Sequence, residues 1–217
     1  MKKVVDLEKI ATIKLYANDR FTSVFSRIRF WDAPFSELKK LVPLSGNILD
    51  LGCGDGLLIN YLALHSTRRN LVGVELNKTR IKQADKGLPN TKFVYGDVLK
   101  KKGFQADTVL MIHLLHHLES LSTQEKLIKE VYLKLKKGGQ LIIAEVDQKP
   151  FWKYVVSWLT DAFVVPILFE KKLWNFAFYY RTRLEWTILL KQIGFKVRVS
   201  SAHTGKPFSH IVLVATK

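Results

Sequence analysis

Within one short run, Asp50, Gly52, Gly54 and Gly56 alternate with Leu51, Cys53 and Asp55. Glycines spaced by twos let a chain turn sharply and bring its backbone amides against a ligand, because no side chain intervenes. A dinucleotide-binding G-x-G-x-x-G does not fit, since counting from Gly52 it needs a glycine where Leu57 stands. Acids stand one and two segments further on, at Glu75 and Asp97, and His113, His116, His117, Glu145 and Asp147 follow. Histidine ionises near neutral pH and suits proton transfer in catalysis. The single cysteine, Cys53, excludes an internal disulfide and a cysteine-built zinc site. The sequence assigns no metal site.

The elements that position these residues are legible from periodicity. Leu7, Ile10, Ile13 and Tyr16 recur at helical spacing, as do Phe21, Val24, Phe25 and Ile28. A further helical stretch, Phe35–Leu41, lies between Pro34 and Pro43. From Asn47 strands and helices alternate. Strands are predicted at 48–51, 70–75, 92–95, 107–112 and 140–146, with helices at 56–65, 77–86 and 123–136. The glycine pair Gly138-Gly139 is expected to stop the last of these helices. After residues 148–182 break the rhythm, a helix is predicted at 184–192 and strands at 195–200 and 209–215. The last two strands lack a crossover helix and must pair antiparallel. The fold class is α/β: a mostly parallel seven-stranded sheet with helices on both faces and the last strand antiparallel. The expected division is an N-terminal helical cap (1–44), a core (45–147), an aromatic-rich helical lid insertion (148–183) and a C-terminal return to the core (184–217).

The D-x-G-x-G-x-G spacing of Asp50–Gly56 resembles motif I of class I, Rossmann-like S-adenosylmethionine-dependent methyltransferases. Four further features fall where that family has them: Glu75 ending the second strand, Gly96-Asp97-Val98 after the third, the fourth strand running into Leu115-His-His-Leu118, and Gly138-Gly139 before the fifth. Lys137 stands where many relatives have proline. The resemblance covers residues 45–147 closely and the last thirty residues loosely. It implies S-adenosyl-L-methionine as cofactor, with S-adenosyl-L-homocysteine as product. Asp50 would receive the cofactor's amino group, and Gly52, Cys53 and Gly54 would present backbone to its methionine part. Glu75 would accept from the ribose hydroxyls and Asp97 from the adenine amino group, with Leu76 and Val98 sandwiching the ring. Met111, Ile112 and His113 would line the wall near the sulfonium. Cys53 is then a loop spacer rather than a nucleophile. Arg20, Arg27 and Arg29 are candidates to clamp the cofactor carboxylate with a planar fork.

Methyl transfer from a sulfonium is an in-line displacement, and a hydroxyl acceptor must also lose a proton. His113 and His117 are the candidate catalytic residues, and Asp147 is a further candidate. Residues 151–180 hold eleven of the chain's twenty-five aromatic residues, which suits an apolar small-molecule or lipid-like acceptor. Lys149, Lys153, Lys171, Lys172, Arg181 and Arg183 flank that segment.

The formal net charge of +16 points to an anionic partner, either an acidic carrier protein or an anionic membrane surface. A nucleic-acid methyltransferase is the alternative the charge allows. Against it, the fourth strand leads into Met111-Ile-His-Leu rather than an Asn/Asp-Pro-Pro-aromatic run, and Cys53 is in the wrong loop for cytosine chemistry. A non-catalytic scaffold of the same fold is the remaining alternative. No run reaches the roughly 18–20 apolar residues of a spanning helix. With one cysteine and no signal-like N-terminus, a cytoplasmic setting, peripheral to the membrane where the lid touches it, is expected.

Overall fold

The computed structural model describes residues 5–18, 20–97, 105–164, 167, 173, 174 and 178–217. Three helices come first: α1 (Leu7–Leu15), α2 (Arg20–Asp32) and α3 (Phe35–Leu41). The alternating part follows as β1 (Gly46–Leu51), α4 (Leu57–His65), β2 (Arg69–Glu75), α5 (Lys78–Ala84), β3 (Thr91–Tyr95) and β4 (Ala106–Ile112). A 3₁₀ turn (Leu115–His117), α6 (Leu121–Lys134) and β5 (Leu135–Val146) come next. The chain then forms α7 (Phe151–Leu159), a π-helical turn (Thr160–Val164), α8 (Arg183–Ile193), β6 (Lys196–Ser201) and β7 (His210–Thr216).

The strands form one seven-stranded sheet in the order β3-β2-β1-β4-β5-β7-β6. β1 pairs parallel with β2, and β2 with β3. β7 runs antiparallel to both neighbours, with Ile143 opposite Leu213 on one side and Val199 opposite Leu213 on the other. The direct β6–β7 connection allows only that antiparallel pairing. The fold class expected from the sequence is the one observed.

By compactness the chain divides at Thr108, into residues 1–108 and 109–217. Within the first unit the N-terminal helices pack on α4. In that unit α4 is buried from Leu57 through Ala63, so it is apolar all round rather than striped. Arg69 is fully buried at the start of β2. Its guanidinium donates to the carbonyls of Pro43, Leu62 and Val42 at 2.6, 2.7 and 2.8 Å, tying the end of α3 to α4 and β2. Without those carbonyls a buried charge would be costly.

In the second unit the core is Leu141–Ala144 of β5, Ile211–Leu213 of β7, and Trp186 and Leu190 of α8. Thr182 and Glu185 cap α8 reciprocally, and Gly194 ends it in the left-handed conformation. The boundary of α6 differs from expectation. The helix ends at Lys134, and Gly138-Gly139 lies inside β5. The cause is the C-terminus: Gly138 N donates to the Lys217 carbonyl and Lys217 N to the Gly139 carbonyl, so β-pairing extends through the glycines.

Candidate functional site

In the first unit the loop after β1 is a turn built on three left-handed glycines, Gly52 (φ 75°), Gly54 (φ 59°) and Gly56 (φ 73°). These are conformations that residues with a Cβ adopt only at a cost. A Cβ at Gly56 would also meet Ala84 and Phe93 at 2.8 Å, so the loop lies directly against α5 and β3. The loop amides are claimed by β2 and the residues that follow it. Gly52 N and Cys53 N both donate to the Val74 carbonyl, at 2.8 and 3.1 Å. Gly54 N donates to Glu75 Oε2 at 2.9 Å, while Asn77 N donates to Glu75 Oε1 at 2.9 Å.

This corrects one expectation. The amides of Gly52, Cys53 and Gly54 are satisfied inside the protein. Glu75 fixes the loop and keeps a second lone pair on each oxygen for further donors.

Asp50 sits at the end of β1, 3 % exposed, and its Oδ1 has no hydrogen-bond partner among the described residues. Burial first, and the Glu75 charge second, push its pKa up to about 8. A buried carboxylate oxygen without a donor is costly unless something supplies one. The Cys53 thiol packs against β2, where a Cβ at Gly73 would come within 2.6 Å of its sulfur. Burial pushes its pKa up, the opposite of what a nucleophile needs.

Two residues of this loop's surroundings escaped the sequence reading. The guanidinium of Arg80 lies over Gly54, where a Cβ would come 2.3 Å from it, and 3.9 Å from Asp55 Oδ1. Tyr16, at the end of α1, donates its hydroxyl to the Asp55 carbonyl at 2.6 Å and accepts from Asn60 Nδ2 at 2.8 Å. Nothing in the local pattern signals either contact, since each joins residues far apart in sequence.

Of the other expected residues in this unit, Leu76 is 62 % exposed, and Asp97 follows β3 half-buried. Val98 lies outside the described residues, as do Lys171 and Lys172. Arg29 is a correction: it pairs with Asp32 at 3.0 Å and covers the Phe35 ring, so it clamps its own helix. Arg20 and Arg27 are exposed.

In the second unit β4 is followed by His113, the one described non-glycine residue with positive φ (53°). His113 N donates to the Ala144 carbonyl at 2.8 Å, and its Nε2 lies 3.1 Å from Nδ1 of the buried His210. Met111 is fully buried, so its side chain faces the core, whereas Ile112 is half-buried.

His116 is buried and Nδ1 is 2.5 Å from Glu145 Oε2; Glu145 Oε1 accepts from Leu115 N at 2.8 Å. Burial pulls the His116 pKa down, but the Glu145 charge and hydrogen bond, with Asp161, outweigh it and the net direction is up. His117 is exposed, its ring 4.1 Å from that of His116 and 5.7 Å from Phe178. One imidazole nitrogen of each, with a carboxylate oxygen of Asp161, forms a trio within 4.8 Å. Asp161, which the π-helical turn brings to the two histidines, and His210 beside His113 carry no local signal in the sequence.

Asp147 is a correction. It is buried, accepts from Lys149 N and holds an ion pair with Arg183, so both its oxygens are already engaged. Three of the basic residues expected to flank the lid toward an anionic surface are likewise engaged inside the unit. Lys153 donates to the His203 and Lys206 carbonyls, Arg181 to Gln124 and the Leu121 carbonyl, and Arg183 to Asp147.

Residues 49–143 match the family described as methyltransferase domain. The chain is 30 % identical over 129 residues to carboxy-S-adenosyl-L-methionine synthase of Campylobacter curvus, covering 55 % of this chain and 54 % of that one. It is 27 % identical over 118 residues to trans-aconitate 2-methyltransferase of Paracidovorax citrulli, covering 54 % and 45 %. The chain thus spans about half the length of these relatives. Among solved structures, a SAM-dependent methyltransferase from Methanosarcina mazei superposes with a TM-score of 0.61 at 23 % identity, over 83 % of this chain and 96 % of that one. That likeness shows the fold. Taken with the sheet order and the glycine turn, these matches show that residues 49–143 resemble a methyltransferase domain and that the chain shares the Rossmann-like fold of solved SAM-dependent methyltransferases.

Proposed function

We propose that the chain transfers the methyl group of S-adenosyl-L-methionine to an apolar small-molecule or lipid-like acceptor. The observation that carries the cofactor half is Asp50. Its buried Oδ1 lacks a donor among the described residues, and it stands at the start of the left-handed glycine turn. A ligand ammonium group is the donor such an oxygen requires, and S-adenosylmethionine carries one. Glu75 has lone pairs left for two ribose hydroxyls, and the exposed Leu76 offers an apolar face to adenine. Arg80, over Gly54, is a cation suited to the cofactor carboxylate. When bound, the cofactor supplies an electrophilic methyl on sulfur; the chain's own residues hold, orient and move protons around it.

On the acceptor side, His113 supports a proton-accepting role, with His210 Nδ1 at 3.1 Å to orient its ring and share the proton. The lid supports an apolar acceptor met at an anionic membrane surface. Trp152, Val156, Leu159 and Phe163 follow one another at i, i+4, i+7 and i+11, and all are exposed. Together they make an apolar stripe on a strongly basic protein. No described helix is long and apolar enough to cross a membrane.

Titration calorimetry with S-adenosyl-L-homocysteine tests the cofactor half. One ligand per chain is expected, with affinity weakened by about 1–3 kcal/mol in Asp50→Asn, the scale of a lost hydrogen bond to a charged group. No heat, together with no protection from thermal unfolding, would favour a scaffold that has lost its cofactor.

A further inference from the structure

We propose that His116, His117 and Asp161 form a binding site for one divalent transition-metal ion, of the zinc class, that clasps the lid to the turn after β4. The inference is independent of methyl transfer. It starts from Glu145, whose oxygens face donors: Leu115 N, Val146 N and the His116 ring. An ionised carboxylate only accepts, so the proton between it and His116 belongs to Nδ1. An ion bound at Nε2 would take the place of a proton there while Nδ1–H stays on Glu145. His116 Nε2 is buried, has no hydrogen-bond partner among the described residues, and lies 3.6 Å from Asp161 Oδ2. A carboxylate holding the far nitrogen of an imidazole is the usual outer arrangement around a metal-binding histidine.

The spacing agrees. Two ligands at ordinary zinc distances around a tetrahedral ion stand about 3.4 Å apart, and the His116–Asp161 pair is at 3.6 Å. His117 lies within the 4.8 Å that bounds the trio, and its exposed ring closes the remaining gap by rotation about its side-chain torsions.

The outer groups are also in place. The Tyr180 hydroxyl donates to Asp161 Oδ2 at 2.7 Å, and the Tyr180 ring stacks on His116 at 5.1 Å with an interplanar angle of 20°. Two nitrogens and one carboxylate oxygen suit a borderline ion such as zinc, with a fourth position left for water. Hydrogen bonds beside the trio tie together neighbouring parts of the unit. Tyr179 N donates to the His116 carbonyl, and Gln124 bridges the Leu115 and Tyr179 carbonyls.

The test uses tag-free, full-length chain stripped of metal by chelator, titrated with Zn²⁺ alone by calorimetry, and with Co²⁺ alone by visible absorption. Wild-type chain is expected to bind one equivalent with the spectrum of four-coordinate Co²⁺. Its melting temperature should rise in excess Zn²⁺ by mass action. His117→Ala alters an exposed residue and Asp161→Asn is isosteric, so both should fold, and each is expected to weaken binding at least about tenfold. Absence of saturable one-to-one binding in the wild-type chain overturns the site. So does binding that either variant weakens by less than tenfold, which would place the ion elsewhere.

Discussion

At the scale of single residues, Asp50 carries the most information. Its pKa is 3.8 in an unfolded chain and about 8 when folded. Between those values the ligand-free native state holds a proton that the unfolded state has lost. Stability therefore falls as pH rises from about 4 to about 8, then levels. Asp50→Asn should flatten that slope in denaturant midpoints measured across the range; a slope that survives would assign it to other groups. A ligand ammonium reverses the preference and favours the ionised carboxylate. At pH 7, S-adenosyl-L-homocysteine binding should thus release about one proton, read from the dependence of calorimetric heat on buffer ionisation enthalpy. The same residue scale holds the histidine pair. His113→Ala and His210→Ala are expected to lower turnover far more than cofactor affinity, because neither histidine belongs to the cofactor loop. Equal loss of both quantities in His113→Ala would remove its acceptor-side role.

At the scale of elements, the glycine turn is held from two sides. Glu75 and Val74 claim its amides, and Tyr16 reaches it from α1. Tyr16→Phe leaves the Asp55 carbonyl and Asn60 Nδ2 short of a partner in a buried place. A loss of about 1–3 kcal/mol is expected in urea unfolding, with weaker cofactor binding because the turn loosens. An unchanged stability would mean water replaces the hydroxyl.

The turn itself was legible in the sequence, as were the helices and strands around it. Both follow from local pattern: glycine spacing, apolar periodicity, and the alternation that forces parallel pairing. What the pattern could not show is what each side chain meets. Arg80 over Gly54, His210 beside His113, and Asp161 beside His116 join residues brought together only by the fold. The end of α6 was misplaced for a related reason. Gly138-Gly139 reads locally as a helix stop, but β-pairing with the C-terminal strand claims it. Asp147 looked like a base from its place at a strand end, but the fold pairs its carboxylate with Arg183.

At the scale of the whole molecule, a net charge of +16 and an exposed apolar stripe on α7 act in the same direction. Net positive charge favours approach to an anionic surface, and exposed apolar side chains favour insertion into it. Co-sedimentation with phosphatidylglycerol vesicles is expected at low salt, falling as salt rises and reduced in Trp152→Ser with Leu159→Ser. Indifference to vesicle charge would contradict the proposed meeting place with the acceptor. The stripe's basic frame is thinner than the sequence suggested, since Lys153, Arg181 and Arg183 are turned to internal partners.

The central claim is that the turn at 50–56, with Glu75 across from it, cradles the adenosyl cofactor, and a crystal structure with S-adenosyl-L-homocysteine tests it most directly. The account predicts the ligand's amino group within hydrogen-bond distance of Asp50 Oδ1, and its ribose hydroxyls on Glu75. Ligand bound away from both residues, with Asp50 Oδ1 still lacking a donor, would contradict it.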